Sequence, residues 1–263
     1  KTFLGKRLTK KFMPVYIYKP IGQTPNELVE AYKKDNKHVK KVSFTGRLDP
    51  MARGKMGLLV NDECKLHDKY ISHNKTYEFQ VLYGFRTDTF DVLGILNEYH
   101  EPFRQMIDSI KLETYVGKTK QEYPPYSSIV VNKKPLWEWS KLGLINSIKP
   151  LPSKTVEIYE FEEIPYDSPI DSYEKLHEKI KTMIYSLSEI NQPKFRVPEI
   201  DSMWNTYFES YKQQLVKCKP IIKKYRAKVS SGTYIRSISS QIGNEIGCGA
   251  IALDICRTQI FDD

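Results

Sequence analysis

Apolar residues along the chain recur at two spacings, which predict short strands interleaved with short helices. Strands are predicted where β-branched and aromatic residues cluster or alternate with polar ones, at residues 14–20, 56–60, 75–82, 155–161, 221–229 and 248–260. Helices are predicted where apolar residues repeat every three or four positions, at residues 24–34, 103–112, 136–144, 173–188, 201–216 and within 230–247. Because hairpin-like pairs dominate, we expect an α+β fold, with a mixed, mainly antiparallel sheet flanked by helices.

Two of these segments predict more than their secondary structure. Thr24 can cap the first helix through its side-chain oxygen, and this helix then has Leu28, Val29 and Tyr32 on one face. Residues 75–82 (KTYEFQVL) alternate polar and apolar side chains. This alternation predicts a half-buried strand, with one face in the core and one in solvent.

Composition narrows the class of protein. The chain has 263 residues, 40% of them apolar, with 18 Tyr and 11 Phe, which is typical of a globular protein. The length suffices for one large domain or two small ones. No apolar run approaches the roughly 20 residues that span a bilayer, and the basic N-terminus lacks a signal-peptide core. We therefore expect an intracellular protein that does not enter membranes.

Positive charge is concentrated in two stretches. The net charge is +9, and residues 1–41 carry 11 Lys or Arg against 3 acidic residues. Residues 217–228 carry six basic residues and no acidic one, whereas residues 157–178 carry eight acidic residues and one lysine. Clustered positive charge with many aromatic residues favours a polyanionic partner, nucleic acid before membrane. A solvated lysine-rich face would give the same pattern.

No motif for a metal or a cofactor is present in the sequence. The four cysteines form no C-x-x-C pair, and Cys64 with His67 lacks the second pair that a tetrahedral zinc site needs. The phosphate-binding loop, the G-x-S-x-G nucleophile elbow and H-E-x-x-H are also absent. We expect a reaction that uses neither a metal nor a cofactor.

One aspartate stands out in FTGRLDPMARGKMGLLV, residues 44–60. Asp49 precedes a proline, which stiffens the backbone on both sides, and three nearby glycines permit tight turns or close approach to a ligand. Arg47 and Arg53 flank it, and an apolar run follows. A rigid carboxylate at the mouth of an apolar pocket suits attack on an anionic, sugar-containing substrate. An ordinary Asp-Pro turn between two strands would have the same sequence.

Two further polar turns follow predicted strands. Asp91 lies in RTDTFD and Arg236 in SSGTYIR, at the ends of strands where sites are commonly built. An aspartate that meets an arginine in a partly dry cleft is expected to stay ionised, which is the state that a nucleophile needs. Tyr77 could stack on a planar ligand. Each of these residues taken alone would also suit a surface turn.

At this point GRLDPMARGKMGLLV resembles the G-x-L-D-P-x-A-x-G-x-L motif of the TruB/dyskerin family of RNA pseudouridine synthases. Further blocks follow in the same order and together cover roughly residues 14–160 and 222–260. They are YKPIG (18–22), KTY (75–77), GFRTDTFDVLG (84–94), residues 123–132, SGTYIR (231–236), GCGA (247–250) and RT (257–258). The resemblance implies the pseudouridine synthase catalytic fold in a single domain over residues 1–263.

The resemblance also implies roles for individual residues. Asp49 would be the essential catalytic aspartate, Tyr77 would pack against a flipped uracil, and Arg236 would pair with Asp49, with Asp91 completing the ionic network. The residues expected to contact RNA or to shape the pocket are Lys19, Pro20, Phe44, Gly46, Arg47, Arg53 and Ile255.

The chain departs from the family pattern at three places. Phe44 stands where the family often has a histidine at the RNA entrance, and Val130 stands where a lysine is expected. We expect no counterpart of the family's C-terminal RNA-binding PUA domain, and residues 166–220 predict a two-helix insertion between two core strands. We hypothesise that this insertion, or the basic stretch at residues 217–228 that follows it (its basic exit), supplies part of the RNA-binding surface.

The implied activity is isomerisation of a uridine in RNA to pseudouridine by base flipping, with uridine 55 of the tRNA T-loop as the favoured target. We expect the protein to act as a monomer, without a membrane. One alternative is a non-catalytic RNA-binding protein or RNA chaperone of the same fold. The other is a subunit directed by a guide RNA, as in dyskerin.

Overall fold

The computed structural model describes residues 13–167, 169–215 and 218–261, and within them eight strands form one sheet. The strands are β1 (Val15–Lys19), β2 (Val42–Phe44), β3 (Ala52–Val60), β4 (Lys75–Tyr83), β5 (Phe85–Thr87), β6 (Leu96–Tyr99), β7 (Gly117–Glu122), β8 (Val130–Val131), β9 (Lys134–Pro135), β10 (Ser153–Ile164), β11 (Ile222–Val229) and β12 (Ala250–Ile260). The helices are α1 (Pro25–Asp35), α2 (His67–Ile71), α3 (Arg104–Asp108), α4 (Leu136–Lys141), α5 (Tyr173–Ile184), α6 (Val197–Leu215) and α7 (Ile235–Glu245). Short 3₁₀ helices are formed by Asn61–Leu66, Leu112–Tyr115 and Ile145–Ser147.

The strand order in the sheet is β1-β3-β12-β4-β11-β10-β7, and β2 also pairs with β3. β3 and β12 run parallel, whereas the other neighbouring pairs of this described sheet run antiparallel. The pairs β5–β6 and β8–β9 form two small separate hairpins. The predicted α+β class, with a mixed and mainly antiparallel sheet, is confirmed.

Helices cover both faces of the sheet. One row of paired residues crosses the strands through Gly54, Arg257, Tyr77, Ala227 and Phe161. We call the side to which this row points the front face. Tyr115 packs on Phe161 and donates a hydrogen bond to Glu245 of α7, so α7 lies on the front face. Side chains alternate along a strand, so Gln80 points to the opposite, rear face, where Lys179 of α5 donates a hydrogen bond to it.

The parallel pairing of β3 and β12 depends on a glycine. Gly54 pairs with Arg257 and has φ of +116°, and a Cβ there would lie 2.3 Å from the Arg257 carbonyl oxygen. No larger residue can occupy this position without pushing the strands apart. The pairing also sets Ala52 beside Ile255, and it therefore places the loop before β3 next to β12.

The segment around Asp91 joins the same strand. Ala252 donates its backbone N–H to the Phe90 carbonyl at 3.0 Å, and Val92 donates its N–H to the Ala252 carbonyl at 3.2 Å. Ala252 is three residues from Ile255 along β12. The loop before β3 and the segment around Asp91 therefore meet beside β12, although they are far apart in sequence.

The predicted start of α1 is confirmed. Glu27 donates its N–H to Thr24 Oγ1 at 3.2 Å, and Thr24 donates its N–H to Glu27 Oε2 at 2.7 Å, which forms a capping box. Leu28 and Val29 are buried, and Tyr32 packs against them. The cap holds the chain in a fixed turn directly after Lys19 and Pro20.

The prediction of a half-solvated strand at residues 75–82 is wrong. All residues of β4 except Glu78 are buried, because α7 and α5 cover opposite faces of the sheet. α6 begins at Val197 rather than at residue 201, since Pro198 fits the first turn of a helix. The helix predicted at 103–112 is reduced to α3, and residues 216 and 217 lie outside the described residues.

Candidate active site

Asp49 is presented by a short, rigid loop between β2 and β3. Gly22 donates its N–H to the Pro50 carbonyl at 2.8 Å, and Ala52 donates its N–H to the Asp49 carbonyl at 2.9 Å. The neighbouring side chains of Leu48 and Met51 are buried in the main core. The Asp49 side chain remains 37% exposed, so this carboxylate faces solvent from a fixed backbone.

Arg236, in the first turn of α7, brings the two predicted aspartates together. Its Nε donates to Asp49 Oδ2 at 2.7 Å and lies 3.5 Å from Asp91 Oδ2. The guanidinium is almost fully buried, with 3% of the side chain exposed. Burial lowers the pKa of Arg236, but the charges of Asp49 and Asp91 outweigh it and leave the pKa above its ordinary value.

Two backbone carbonyls fix the other end of the same guanidinium. Nη1 donates to the Thr89 carbonyl at 2.5 Å, and Nη2 donates to the Tyr126 carbonyl at 3.2 Å. Thr89 belongs to the Asp91 segment and Tyr126 to the loop after β7. Because all three nitrogens have partners, Arg236 holds one orientation, and that orientation determines where Asp49 Oδ2 lies.

Asp91 is buried more deeply than Asp49, and its carboxylate accepts hydrogen bonds from its own segment. Its Oδ1 accepts hydrogen bonds from Thr89 Oγ1 and from the Leu93 N–H, each at 2.8 Å. Burial raises the pKa of Asp91 to about 6, although the Arg236 charge opposes this shift. Arg236 favours the ionised form, as expected for an aspartate beside an arginine, but the cost of burying the charge is the larger effect on the pKa of Asp91.

Tyr77 lies on the front face of β4 and is 7% exposed. Its hydroxyl is 3.5 Å from Nη1 of Arg257, which also donates to the carbonyls of Arg47 at 3.3 Å, Gly46 at 3.2 Å and Lys55 at 2.7 Å. Arg257 therefore ties Tyr77 to the loop that carries Asp49. Sequence reasoning did not assign it this role. The available signal was its spacing of two residues from Ile255, on the same strand.

The YKPIG turn contributes a buried lysine. Lys19 is fully buried and donates hydrogen bonds to the carbonyls of Pro20 at 2.9 Å and Gln23 at 2.7 Å. Burial lowers the pKa of Lys19 to about 8, although the charge of Asp49 opposes the shift. Lys19 thus lies buried next to the site. Of the other two residues expected to shape the pocket, Pro20 is exposed and Ile255 is buried on β12.

The residues predicted at the entrance divide into two groups. Phe44 is half-buried and packs against the apolar cluster that contains Leu28 and Val29 of α1. The exposed Arg47 guanidinium lies 5.6 Å from the centre of the Phe44 ring. Gly46 follows with φ of +132°. Arg53 is not at this entrance: it points to the rear face and donates two hydrogen bonds to Asp254, at 2.7 and 3.3 Å.

The basic exit of the insertion faces acidic side chains. Lys223 pairs with Asp108 and Glu163, and Arg226 pairs with Glu78 and Glu162, all within 3.0 Å. These pairs arise because β10 carries much of the acidic stretch and lies beside β11. Lys223 and Arg226 are therefore neutralised by neighbouring carboxylates, whereas Lys228 lies 4.5 Å from the centre of the Phe261 ring. Lys217 lies outside the described residues.

The described residues contain neither a membrane-spanning helix nor a metal-binding cluster. No described helix is both long enough and apolar enough to cross a membrane. In the same parts of the chain, no three side chains of His, Cys, Asp or Glu come together in a group that could hold a metal ion.

Comparisons with known proteins agree on one family. The family model of the TruB family pseudouridylate synthase (N terminal domain) matches residues 34–184. The tRNA pseudouridine synthase B of Thermosipho melanesiensis is 27% identical over 247 residues, which cover 93% of this chain and 62% of the relative. That of Aquifex aeolicus is 27% identical over 248 residues, covering 93% and 67%. That of Mycoplasma mycoides subsp. mycoides is 34% identical over 152 residues, covering 57% and 51%.

The fold is shared with a solved structure. A chain of the crystal structure of a Cbf5-Nop10-Gar1 complex superposes with a TM-score of 0.54 and 16% identity, over 95% of this chain and 49% of that one. The chain thus spans between about half and two thirds of the length of these relatives. On the family match, which covers more than half of its residues, the chain belongs to the TruB family of pseudouridylate synthases.

Proposed function

We propose that the protein is an RNA pseudouridine synthase that acts on tRNA, with Asp49 as its catalytic residue. The observation that carries the proposal is the pairing of a partly exposed carboxylate, Asp49, with the buried Arg236 and Asp91. Family membership and the name of the relatives, tRNA pseudouridine synthase B, support the same activity.

The proposed reaction is an isomerisation whose atoms balance without a co-reactant. The bond between N1 of the uracil and C1′ of the ribose breaks, the base turns, and a bond forms between C5 and C1′. The proton on C5 leaves and N1 gains a proton. The base must first leave its stack, which costs a few kcal/mol and favours a loop over a duplex.

The geometry around Asp49 supports a role for this residue in acting on the sugar. Arg236 holds Oδ2 at 2.7 Å, and the rigid loop holds the backbone, so the carboxylate needs little reorganisation before it reacts. Attack on C1′ as a nucleophile and removal of a proton from C2′ as a base both suit this arrangement. Tyr77, beside Arg257 on the front face, supplies an aromatic surface for the flipped uracil.

We propose uridine 55 in the T-loop of tRNA as the target, on the resemblance of the sequence blocks, and a monomer as the active form. Phe44 and Arg47 form the entrance on one side of the Asp49 loop. An aromatic ring with a cation above it can stack on a base and approach a phosphate at the same time.

A single experiment tests both activity and target. The protein alone is incubated with a tRNA transcript and with the same transcript carrying cytidine at position 55, and pseudouridine is mapped. We expect product at position 55 of the first transcript alone. Asp49→Asn should keep RNA affinity and lose turnover by at least about 1,000-fold, whereas the exposed Asp62→Asn is the matched control.

Other outcomes identify the alternatives. Product at another uridine would reject the T-loop target and keep the activity. RNA binding without product would indicate a non-catalytic RNA-binding protein or chaperone. Product that requires a guide RNA and partner proteins would indicate a guide-directed subunit. Full turnover by Asp49→Asn would remove Asp49 from its proposed role.

A further inference from the structure

The connection between α5 and α6, residues 185–196, reaches the active site from the segment expected to be an insertion. Ser188 Oγ donates to Glu27 Oε1 at 2.6 Å, at the cap of α1. A Cβ on Gly22 would lie 2.1 Å from the Ser186 carbonyl oxygen, so the two backbones touch. Gly22 in turn donates to Pro50, next to Asp49. The connection therefore packs against the turn that supports the Asp49 loop.

Arg196, the last residue of this connection, contacts two other loops of the site. Its Nη1 and Nη2 donate to the two carboxylate oxygens of Asp88 at 2.7 and 3.2 Å, a bidentate pair. Its guanidinium carbon lies 4.4 Å from the centre of the Tyr126 ring. The Arg196 and Asp88 side chains are only 20% and 25% exposed, so solvent screens this pair weakly.

These two partners are the neighbours of the groups that orient Arg236. Asp88 precedes Thr89, whose carbonyl accepts from Arg236 Nη1, and Tyr126 itself supplies the carbonyl that accepts from Nη2. One arginine therefore joins the two loops whose carbonyls hold the other arginine. Tyr126 and Asp88 also share a side-chain hydrogen bond, so Arg196, Asp88 and Tyr126 form one cluster between the two loops.

The backbone of Arg196 indicates that its position is imposed by the fold. Its φ is +57°, a conformation that residues with a side chain seldom adopt unless their surroundings hold them there. The surroundings here are hydrogen bonds on both sides: Phe195 donates to the Asn191 carbonyl and Val197 to the Gln192 carbonyl, each at 3.0 Å.

We infer that Arg196 is a positioning residue for the active site, and that residues 185–196 act as a brace that fixes Arg236, and through it Asp49, from behind. The expected effect on turnover rests on the proposed function. The expected effect on the orientation of Arg236 does not depend on that function. Since Arg196 acts on Arg236 through the loops of Asp88 and Tyr126, and not through Phe44 or Arg47 of the proposed entrance, its loss should lower kcat and leave KM for tRNA nearly unchanged.

The experiment compares Arg196→Ala, Arg196→Lys and Asn205→Ala in the full chain. Asn205 Oδ1 accepts a hydrogen bond from His177 Nε2 at 2.8 Å between α5 and α6, so its variant disturbs the same segment without touching the catalytic loops. Two quantities are measured: kcat and KM on the tRNA transcript, and hydrogen exchange of the Arg236 Nε–H by NMR, assigned with Arg236→Lys. Thermal unfolding of each variant reports folding.

For Arg196→Ala we expect kcat to fall about 10- to 100-fold, KM to change by less than about threefold, and exchange at Arg236 to quicken about tenfold. Arg196→Lys should recover part of each effect, because it keeps the charge and loses the bidentate geometry. Asn205→Ala should lower the melting temperature alone.

Three results decide against the inference or separate it from the proposed function. Unchanged kcat and unchanged exchange in a folded Arg196→Ala would overturn it. A raised KM with normal kcat would also overturn it, since Arg196 would then contact RNA. If the wild-type protein makes no pseudouridine but Arg196→Ala still quickens exchange at Arg236, the brace stands and the proposed function fails.

Discussion

Two networks of arginine and carboxylate side chains lie close to the same central strands, and they differ in burial. In the active-site network, Arg236 and Asp91 are 3% and 6% exposed, and Asp49 is 37% exposed. On the rear face, Arg226 is 44% exposed and pairs with Glu78 and Glu162, which are 25% and 58% exposed. Each network pairs one arginine with two carboxylates, but only the first holds its cation in a dry, fixed position.

The difference shows why composition alone does not identify a site. An exposed ion pair is worth little, because solvent screens it and its side chains remain mobile. A buried arginine must have every donor satisfied, and that requirement fixes the carboxylate that it holds. In this protein the burial of Arg236 leaves Asp49 as the one partner that is both oriented and open to a substrate.

The largest expected effect comes from exchanging the two arginines for lysine. Arg236→Lys cannot bond Asp49 and both carbonyls at once, so we expect turnover of tRNA to fall about 100-fold, or about 3 kcal/mol. Arg226→Lys should stay within about twofold of wild type. Single-turnover rates measure both. Equal losses would mean that the two networks do not differ in the way proposed here.

A smaller effect is expected in the pH dependence of stability, with opposite signs in the two networks. The pKa of Asp91 is about 6 in the folded protein, whereas the ordinary pKa of an aspartate, which applies to the unfolded chain, is 3.8. The folded state therefore holds more protons between these values, and its free energy of unfolding falls by about 3 kcal/mol as pH rises through them. Asp91→Asn should remove this slope.

Glu78 on the rear face should show the reverse. Burial opposes the shift, but hydrogen bonds from Arg226 and Lys224 leave the pKa of Glu78 below its ordinary value. Its stabilising contribution is therefore present at neutral pH and is lost as pH falls through the folded pKa. Urea unfolding of wild type, Asp91→Asn and Glu78→Gln between pH 3 and 8 compares the slopes. If Asp91 and Glu78 contributed pH slopes of the same sign to the free energy of unfolding, the proposed electrostatic difference between the two networks would be wrong.

The smallest effect is expected from breaking the rear network outright. Arg226→Gln should lower the free energy of unfolding by less than about 1 kcal/mol, because its pairs are exposed, and high salt should reduce the difference. Affinity for tRNA should not change, since acidic neighbours neutralise this cation. A filter-binding assay at two salt concentrations checks this. Weaker binding would mean that residues 217–228 contribute to RNA binding, as we hypothesised from the sequence.

Much of the fold was predictable from local patterns. The cap at Thr24, the strands at 14–20 and 221–229, and the α+β class depend on residues within a few positions of each other, and they agree with the structure. The half-solvated face expected for residues 75–82 was wrong, because alternation in sequence does not reveal that a distant helix, α5, covers the polar side of β4.

The sequence by itself determined which residues could do chemistry: Asp49, Asp91 and Arg236 stand in or directly after polar turns, where glycines permit tight bends and a proline stiffens the chain beside Asp49. Only the tertiary structure decided that they meet, because the parallel pairing of β3 with β12 and the attachment of Phe90 and Val92 to Ala252 bring distant loops to one strand. It also turned Arg53 to the rear face and placed Arg196 behind the site. Burial and partners are properties of the packed chain, so no local pattern contains them.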